Sequence, residues 1–164
     1  MLKLPKLTIG NIKLKNSLML APMAGITDLP LRQLAVEGGA GLVFTEMVSA
    51  TAMVYGDKKT YKLLTTSEKE KDCVAAQIFG TKPEIMSECA KRVQDLGYKI
   101  IDINLGCPAK KITKVGAGSR LLANPKQVED VLSAVVKAVS VPVTIKTRIG
   151  LLQGQNVAPE IIEI

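Results

Sequence analysis

The sequence predicts an α/β fold in which one parallel sheet, covered by helices, curls as the first part of a (β/α)8 barrel. Three observations predict it. Short apolar runs alternate with helical stretches along most of the chain. The runs begin roughly 30 residues apart, the length of one β/α unit in a barrel of about 250 residues. Polar residues gather at the C-terminal ends of the runs, where barrel active sites assemble: Pro22 and Met23, Glu46, Gln77, Asn104 and Cys107, then Lys146 and Arg148. The expected architecture is therefore an incomplete (β/α)8 TIM barrel, about five parallel strands with an N-terminal β-hairpin.

Taken in order, Leu7–Leu14 alternates apolar and polar residues around Gly10-Asn11, the pattern of a small hairpin. Ser17–Met23, Gly41–Met47, Cys73–Phe79, Lys99–Leu105 and Val141–Thr147 are short apolar runs suited to strands buried on both faces. Helical patterns separate them over Leu29–Glu37, Pro83–Leu96 and Pro125–Val139. The last is the most regular, with Val128, Val131, Leu132, Val135 and Val139 on one face. Pro83 and Pro125 sit at first turns, where a helix tolerates proline, and Gly38 and Gly97 suit C-terminal caps. The tail after Leu151 enters a further helical pattern, PEIIEI, with no capping signal before Ile164.

A chain of 164 residues is one domain or part of one. Hydrophobic residues at 47% and charged residues at 23% fit a chain with a core and exclude disordered or collagen-like classes. Histidine is absent, which excludes Ser-His-Asp catalysis, His-ligated zinc and a histidine base within this chain. Any acid or base comes from Cys, Lys, Asp, Glu or Tyr. A formal net charge of +7 favours polyanionic partners such as RNA, anionic lipid or a phosphorylated cofactor. Cys73, Cys89 and Cys107 are odd in number and form no C-x-x-C pair, so neither a disulfide framework nor a metal site is expected. A reducing cytoplasm fits them best. The N-terminus is too broken by Lys and Pro for a signal peptide, and no run approaches the roughly 18 apolar residues of a membrane span.

The segment DINLGCPAKK, Asp102–Lys111, ends a strand in Asn, Gly, Cys and Pro before two lysines. Gly106 permits a tight turn and Pro108 stiffens it, holding Cys107 at a strand mouth. Cys107 is either a thiol used as nucleophile or proton donor, or a buried loop cysteine. Cys73 and Cys89 fit a core role. GAGSRLL, Gly116–Leu122, offers backbone amides to a phosphate or simply forms a turn; it is no Rossmann fingerprint. Lys146 and Arg148 lie two apart on a strand end and so face the same way. Gln77, a strand-end amide, pairs with the edge of a planar heterocycle or bonds a loop. Lys58, Lys59, Lys62, Lys69 and Lys71 read as a solvated face, with RNA contact the alternative.

In order along the chain, APMAGITDLPLR (Ala21–Arg32), TEMVSA (Thr45–Ala50), QIFG (Gln77–Gly80), DINLGCPAKK, GAGSRLL and PVTIKTRIG (Pro142–Gly150) resemble the tRNA-dihydrouridine synthase family. The resemblance runs from about Ile9 to Gly150. The resemblance implies an FMN-binding (β/α)8 catalytic barrel and a C-terminal helical domain that binds tRNA. It further implies that NADPH reduces the flavin and that the flavin reduces a tRNA uridine to 5,6-dihydrouridine. Matched motif to motif, it implies that Pro22, Met23 and Ala24 line the flavin and that Gln77 and Lys146 bond its ring system. By the same match Cys107 donates the proton, Asn104 holds the uracil, and Arg148 faces substrate or flavin. Arg120 stands where the family usually has a small residue.

The resemblance makes residues 1–164 the N-terminal portion of a single FMN-binding barrel domain. The remaining strands, a site histidine, the glycine-rich flavin-phosphate loops and the helical tRNA-binding domain are expected beyond Ile164. Alone, such a half barrel is expected to be inactive and to self-associate through its open edge. Two other functions fit the same residues. One is another FMN barrel acting on free pyrimidines, in the manner of dihydroorotate or dihydropyrimidine dehydrogenases. The other is a non-catalytic half barrel that binds RNA or itself.

Overall fold

A computed structural model describes residues 5–164. Thr8–Ile9 (β1) and Ile12–Lys13 (β2) pair antiparallel in the expected hairpin. Gly10 carries the turn at φ +56, and a Cβ there would lie 2.5 Å from Pro142 Cγ. Only glycine lets the hairpin seat so closely against the start of the last strand. Its Ile9 and Ile12 pack on Leu14, Leu42, Ala75 and Ile100, which plugs the N-terminal end of the sheet's inner face.

The parallel sheet is built from Met19–Leu20 (β3), Leu42–Phe44 (β4), Val48–Ser49 (β5), Val74–Phe79 (β6), Ile101–Asn104 (β7) and Val143–Lys146 (β8). Five strands run in the order β3-β4-β6-β7-β8, and β5 pairs with β6 beyond the end of β4. This is the curled half barrel that the strand spacing predicts. The extra strand has a physical cause. Phe44 pairs with Ala75 and Val48 with Ile78, so β4 and β5 together carry one residue more than the β6 stretch they face. That is a bulge. The Thr45 hydroxyl fills the gap by accepting from the Gln77 backbone N–H at 3.1 Å.

Leu29–Glu37 (α1), Ala50–Val54 (α2), Lys58–Leu63 (α3), Pro83–Asp95 (α4), Lys110–Thr113 (α5), Pro125–Ala138 (α6) and Ala158–Ile162 (α7) make up the helices. Asp28 and Asn124 cap α1 and α6 by accepting from Leu31 N and Gln127 N, which satisfies otherwise orphaned donors. α2 and α3 are absent from the sequence expectation because two short helices, capped by Ser49 and Asp57, show no readable period. The lysines around α3 are exposed, and Lys69 and Lys71 pair with Glu37 and Glu68, as a solvated face should.

The main core lies between the sheet's outer face and α4 and α6. Val74, Ala76, Ile78, Ile101 and Ile103 meet Met86, Cys89, Ala90 and Val93 of α4 and Val128, Val131 and Val135 of α6. Each large aliphatic side chain buried there is worth roughly 1.5–3 kcal/mol over leaving it in water. A second fixture is ionic. Arg32, 1% exposed, donates to Glu70 Oε1 at 2.9 Å and to the carbonyls of Thr27 and Thr65, and Glu70 is fully buried. It ties α1 and the loop that precedes it to the segment before β6. Removing either partner would strand a buried charge.

Candidate active site

Pleating sends alternate residues of one strand to opposite faces. In β6 and β7 the outward residues are the aliphatics already named, whereas Gln77, Asp102 and Asn104 point inward. Register then sets them in layers. Gln77 pairs with Asp102 and Asp102 with Thr144, while Asn104 pairs with Lys146 one pleat nearer the C-terminal ends.

Above these layers lies a cavity of about 390 Å³. Pro22, Ala24, Gln77, Asn104, Cys107, Lys146 and Arg148 all line it. Met23 does not: its backbone carbonyl accepts from the N–H groups of Ile26 and Thr27, and its side chain is exposed. Gly106 and Pro108, expected as residues of the Cys107 turn, also line the cavity, as do Met47 and Thr147, to which the sequence assigns no role. Met47 belongs to the bulge, whose signal is the one-residue mismatch between paired strands rather than any motif.

A continuous set of hydrogen bonds joins the inner residues. Gln77 Nε2 donates to Asp102 Oδ2 at 2.6 Å, and Thr144 Oγ1 donates to Asp102 Oδ1 at 2.7 Å. Asn104 Nδ2 donates to Gln77 Oε1 at 2.9 Å. Asn104 Oδ1 in turn accepts from the backbone N–H groups of Cys107 at 2.9 Å and Gly106 at 3.2 Å. Burial pushes the Asp102 carboxyl above its ordinary range, against the opposing pull of the Gln77 and Thr144 hydrogen bonds and the Lys146 charge. Asp102 was not singled out in the sequence either. Its signal is a carboxylate two residues before Asn104 in an otherwise apolar run.

The turn that presents Cys107 is braced from behind. Its carbonyl accepts from Ser119 N at 3.0 Å. Gly118 has φ +61, and a Cβ there would come within 2.6 Å of the Cys107 carbonyl oxygen. The glycine-rich segment thus forms a turn with a 3-10 helix over Gly118–Ala123, and its Ala117 and Ser119 amides are used on protein carbonyls. Gly106 differs from expectation. Its φ is not positive and a Cβ there meets nothing closer than 3.5 Å, so the backbone does not demand glycine. Arg148 Nε closes the turn on the other side by donating to Gly106 O at 2.7 Å.

The other thiols have different surroundings. Cys89 is buried against Met53, and burial pushes its thiol up to about 12. Cys73 is half-buried just before β6, and burial raises it as well. Lys146 and Arg148 are exposed, so neither bears the desolvation cost of a buried cation, and neither pairs with a carboxylate among the described residues. Nearby, Lys110, Lys114 and Arg120 border a wider groove of about 820 Å³. Among the described residues no cluster of three or more His, Cys, Asp or Glu could hold a metal, and no helix is long and apolar enough to cross a membrane.

Fold and site together define the class: the opening strands of a (β/α)8 barrel whose amides, cation and thiol meet at the strand ends. A family model for dihydrouridine synthase (Dus) matches residues 19–164. The chain is 48% identical over 142 residues to tRNA-dihydrouridine synthase B of Vibrio cholerae, which covers 87% of this chain and 44% of that protein. It is 45% identical over 156 residues to tRNA-dihydrouridine synthase B of Pasteurella multocida, covering 95% of this chain and 47% of that protein. A probable tRNA-dihydrouridine synthase of Rickettsia bellii is 38% identical over 156 residues, or 95% and 48% of the two chains. The chain belongs to the dihydrouridine synthase family. It spans about half the length of the curated relatives it matches.

Proposed function

We propose that this chain supplies the flavin ring and uracil sites of an FMN-dependent oxidoreductase that reduces uridine in tRNA to 5,6-dihydrouridine, with NADPH as reductant. The observation that carries it is the convergence of Gln77, Asn104, Cys107 and Lys146 on one cavity. The cavity suits the group. It joins apolar contact from Pro22, Ala24 and Met47 to donors from Gln77, Asn104, Lys146 and Arg148, the mixture that a flat heterocycle with an apolar ring and a carbonyl-bearing ring requires.

Bound FMN would supply hydride chemistry to the uracil ring. Gln77 and Lys146 would hold the polar edge of the flavin, where the Lys146 ammonium would favour negative charge. Asn104 orients the uracil. Cys107 Sγ would supply the proton that uracil C5 takes up on reduction, leaving a thiolate for reprotonation. The target base must leave its stack to reach the strand ends. Lys110, Lys114 and Arg120, which pair with no carboxylate among the described residues, favour a phosphate backbone along the wider groove they border. The enzyme would act in the cytoplasm, whose reducing conditions suit three free cysteines.

The test uses the full-length protein with NADPH and tRNA lacking dihydrouridine, beside free uridine, uracil and orotate. Dihydrouridine should form in tRNA only. Turnover of free pyrimidines with inert tRNA would replace this assignment with that of a free-pyrimidine reductase.

A further inference from the structure

The geometry points to Asp102 as a positioning residue: its buried carboxylate anchors the Gln77 and Asn104 amides in one polarity, which holds the Cys107 turn and leaves Asn104 able only to donate toward the cavity. This role rests on the flavin and uridine site proposed above, and no part of the chemistry there uses Asp102.

Polarity is dictated at both ends of the chain of bonds. At the inner end Asp102, 2% exposed, receives hydrogen bonds on both oxygens, from Gln77 Nε2 at 2.6 Å and Thr144 Oγ1 at 2.7 Å. Gln77 must therefore turn its nitrogen to Asp102 and its oxygen to Asn104. At the outer end the backbone N–H groups of Gly106 and Cys107 are donors only, so Asn104 turns its oxygen to them. With that oxygen accepting twice and one Nδ2 hydrogen given to Gln77, the group left for a ligand is the other N–H, whose nearest partner is the weak acceptor Met47 Sδ at 3.6 Å. A carbonyl oxygen satisfies it. An exocyclic amino group does not. The relay thus favours a uracil carbonyl over the amino group of a cytosine, and Asp102 keeps it set. Without Asp102, the Gln77 nitrogen would sit buried and unpaired, and the side chain would turn to find a partner.

The test compares Asp102→Ala and Asp102→Asn in the full-length protein. Asparagine can accept from Gln77 and donate to the Thr144 hydroxyl, so it preserves the relay without the charge. Side-chain amide exchange by NMR, read without flavin or tRNA, should show Gln77 and Asn104 protected in wild type and Asp102→Asn and unprotected in Asp102→Ala. Activity on tRNA should fall about 100-fold in Asp102→Ala, as expected for a misplaced reacting group, and return to within about fivefold of wild type in Asp102→Asn. Unchanged amide protection in Asp102→Ala, or equal damage from both variants, would overturn the role. Should Asp102→Ala not fold, Thr144→Val, which removes one of the two donors to Asp102, must at least loosen the Gln77 amide; if it does not, the role is also overturned. Because exchange is read on the unliganded protein, it can support Asp102 even where the flavin assignment fails.

Discussion

Along β6 and β7, adjacent residues live in opposite surroundings. Val74, Ala76, Ile78, Ile101 and Ile103 face α4 and α6 in an apolar layer with no polar side chain among them, while Gln77, Asp102 and Asn104, one residue away in each case, face inward and bond one another. The outer layer is held by area and packing, which tolerate exchange of one aliphatic for another of similar volume. The inner layer is held by donor–acceptor matching, which tolerates very little. Two adjacent positions of one strand can therefore carry stability and chemistry almost independently.

Cys107→Ala should separate the two most sharply. Dihydrouridine formation is expected to fall by roughly 10²- to 10⁴-fold, the usual worth of a positioned proton donor, with the melting temperature unchanged. A matching loss of stability would erase the distinction between the layers. Ile103→Ala, one residue from Asn104 but facing outward, should do the reverse, costing about 2–5 kcal/mol in urea denaturation while the folded fraction keeps its turnover. Gly118→Ala tests the brace behind the thiol. A left-handed φ and the approach to the Cys107 carbonyl predict a loss of about 1–3 kcal/mol together with displaced, slower alkylation of Cys107. Wild-type values for both would mean the turn is not under that constraint.

The smallest effect is in pH. Burial raises the Asp102 carboxyl in the folded chain, so the native state keeps its proton to higher pH than the unfolded chain, whose value is about 3.9. Its contribution to stability is therefore present below that value and is lost as pH rises through the folded one. Relative to wild type, Asp102→Asn should gain stability across that window. Parallel curves for the two proteins would contradict a raised carboxyl.

Much of this layout was legible beforehand because it obeys simple periods. Pro125–Ala138 shows helical spacing and a first-turn proline, and Val74–Phe79 is a bounded apolar run, so both appear close to their expected limits. What stayed hidden depends on pairing between distant residues. The Arg32–Glu70 bond joins positions 38 apart, and the bulge between β4 and β5 exists only relative to β6. Met23, expected to line the flavin by its place in a motif, has its carbonyl in the turn ending at Thr27, between Pro22 and Ala24 of the cavity wall. Asp102 escaped for another reason: an acidic residue inside a strand is seen to be useful only once register places Gln77 and Thr144 beside it.

FMN titration of the full-length protein tests most directly whether the inner strand ends form a flavin site. Followed by flavin absorbance, Gln77→Ala and Lys146→Ala should each weaken binding by about tenfold or more and alter the bound spectrum, as loss of a charge-assisted or buried hydrogen bond implies. Lys69→Ala, on the solvated face, should match wild type. If both inner variants bind FMN with wild-type affinity and an unchanged spectrum, the flavin does not sit at these strand ends.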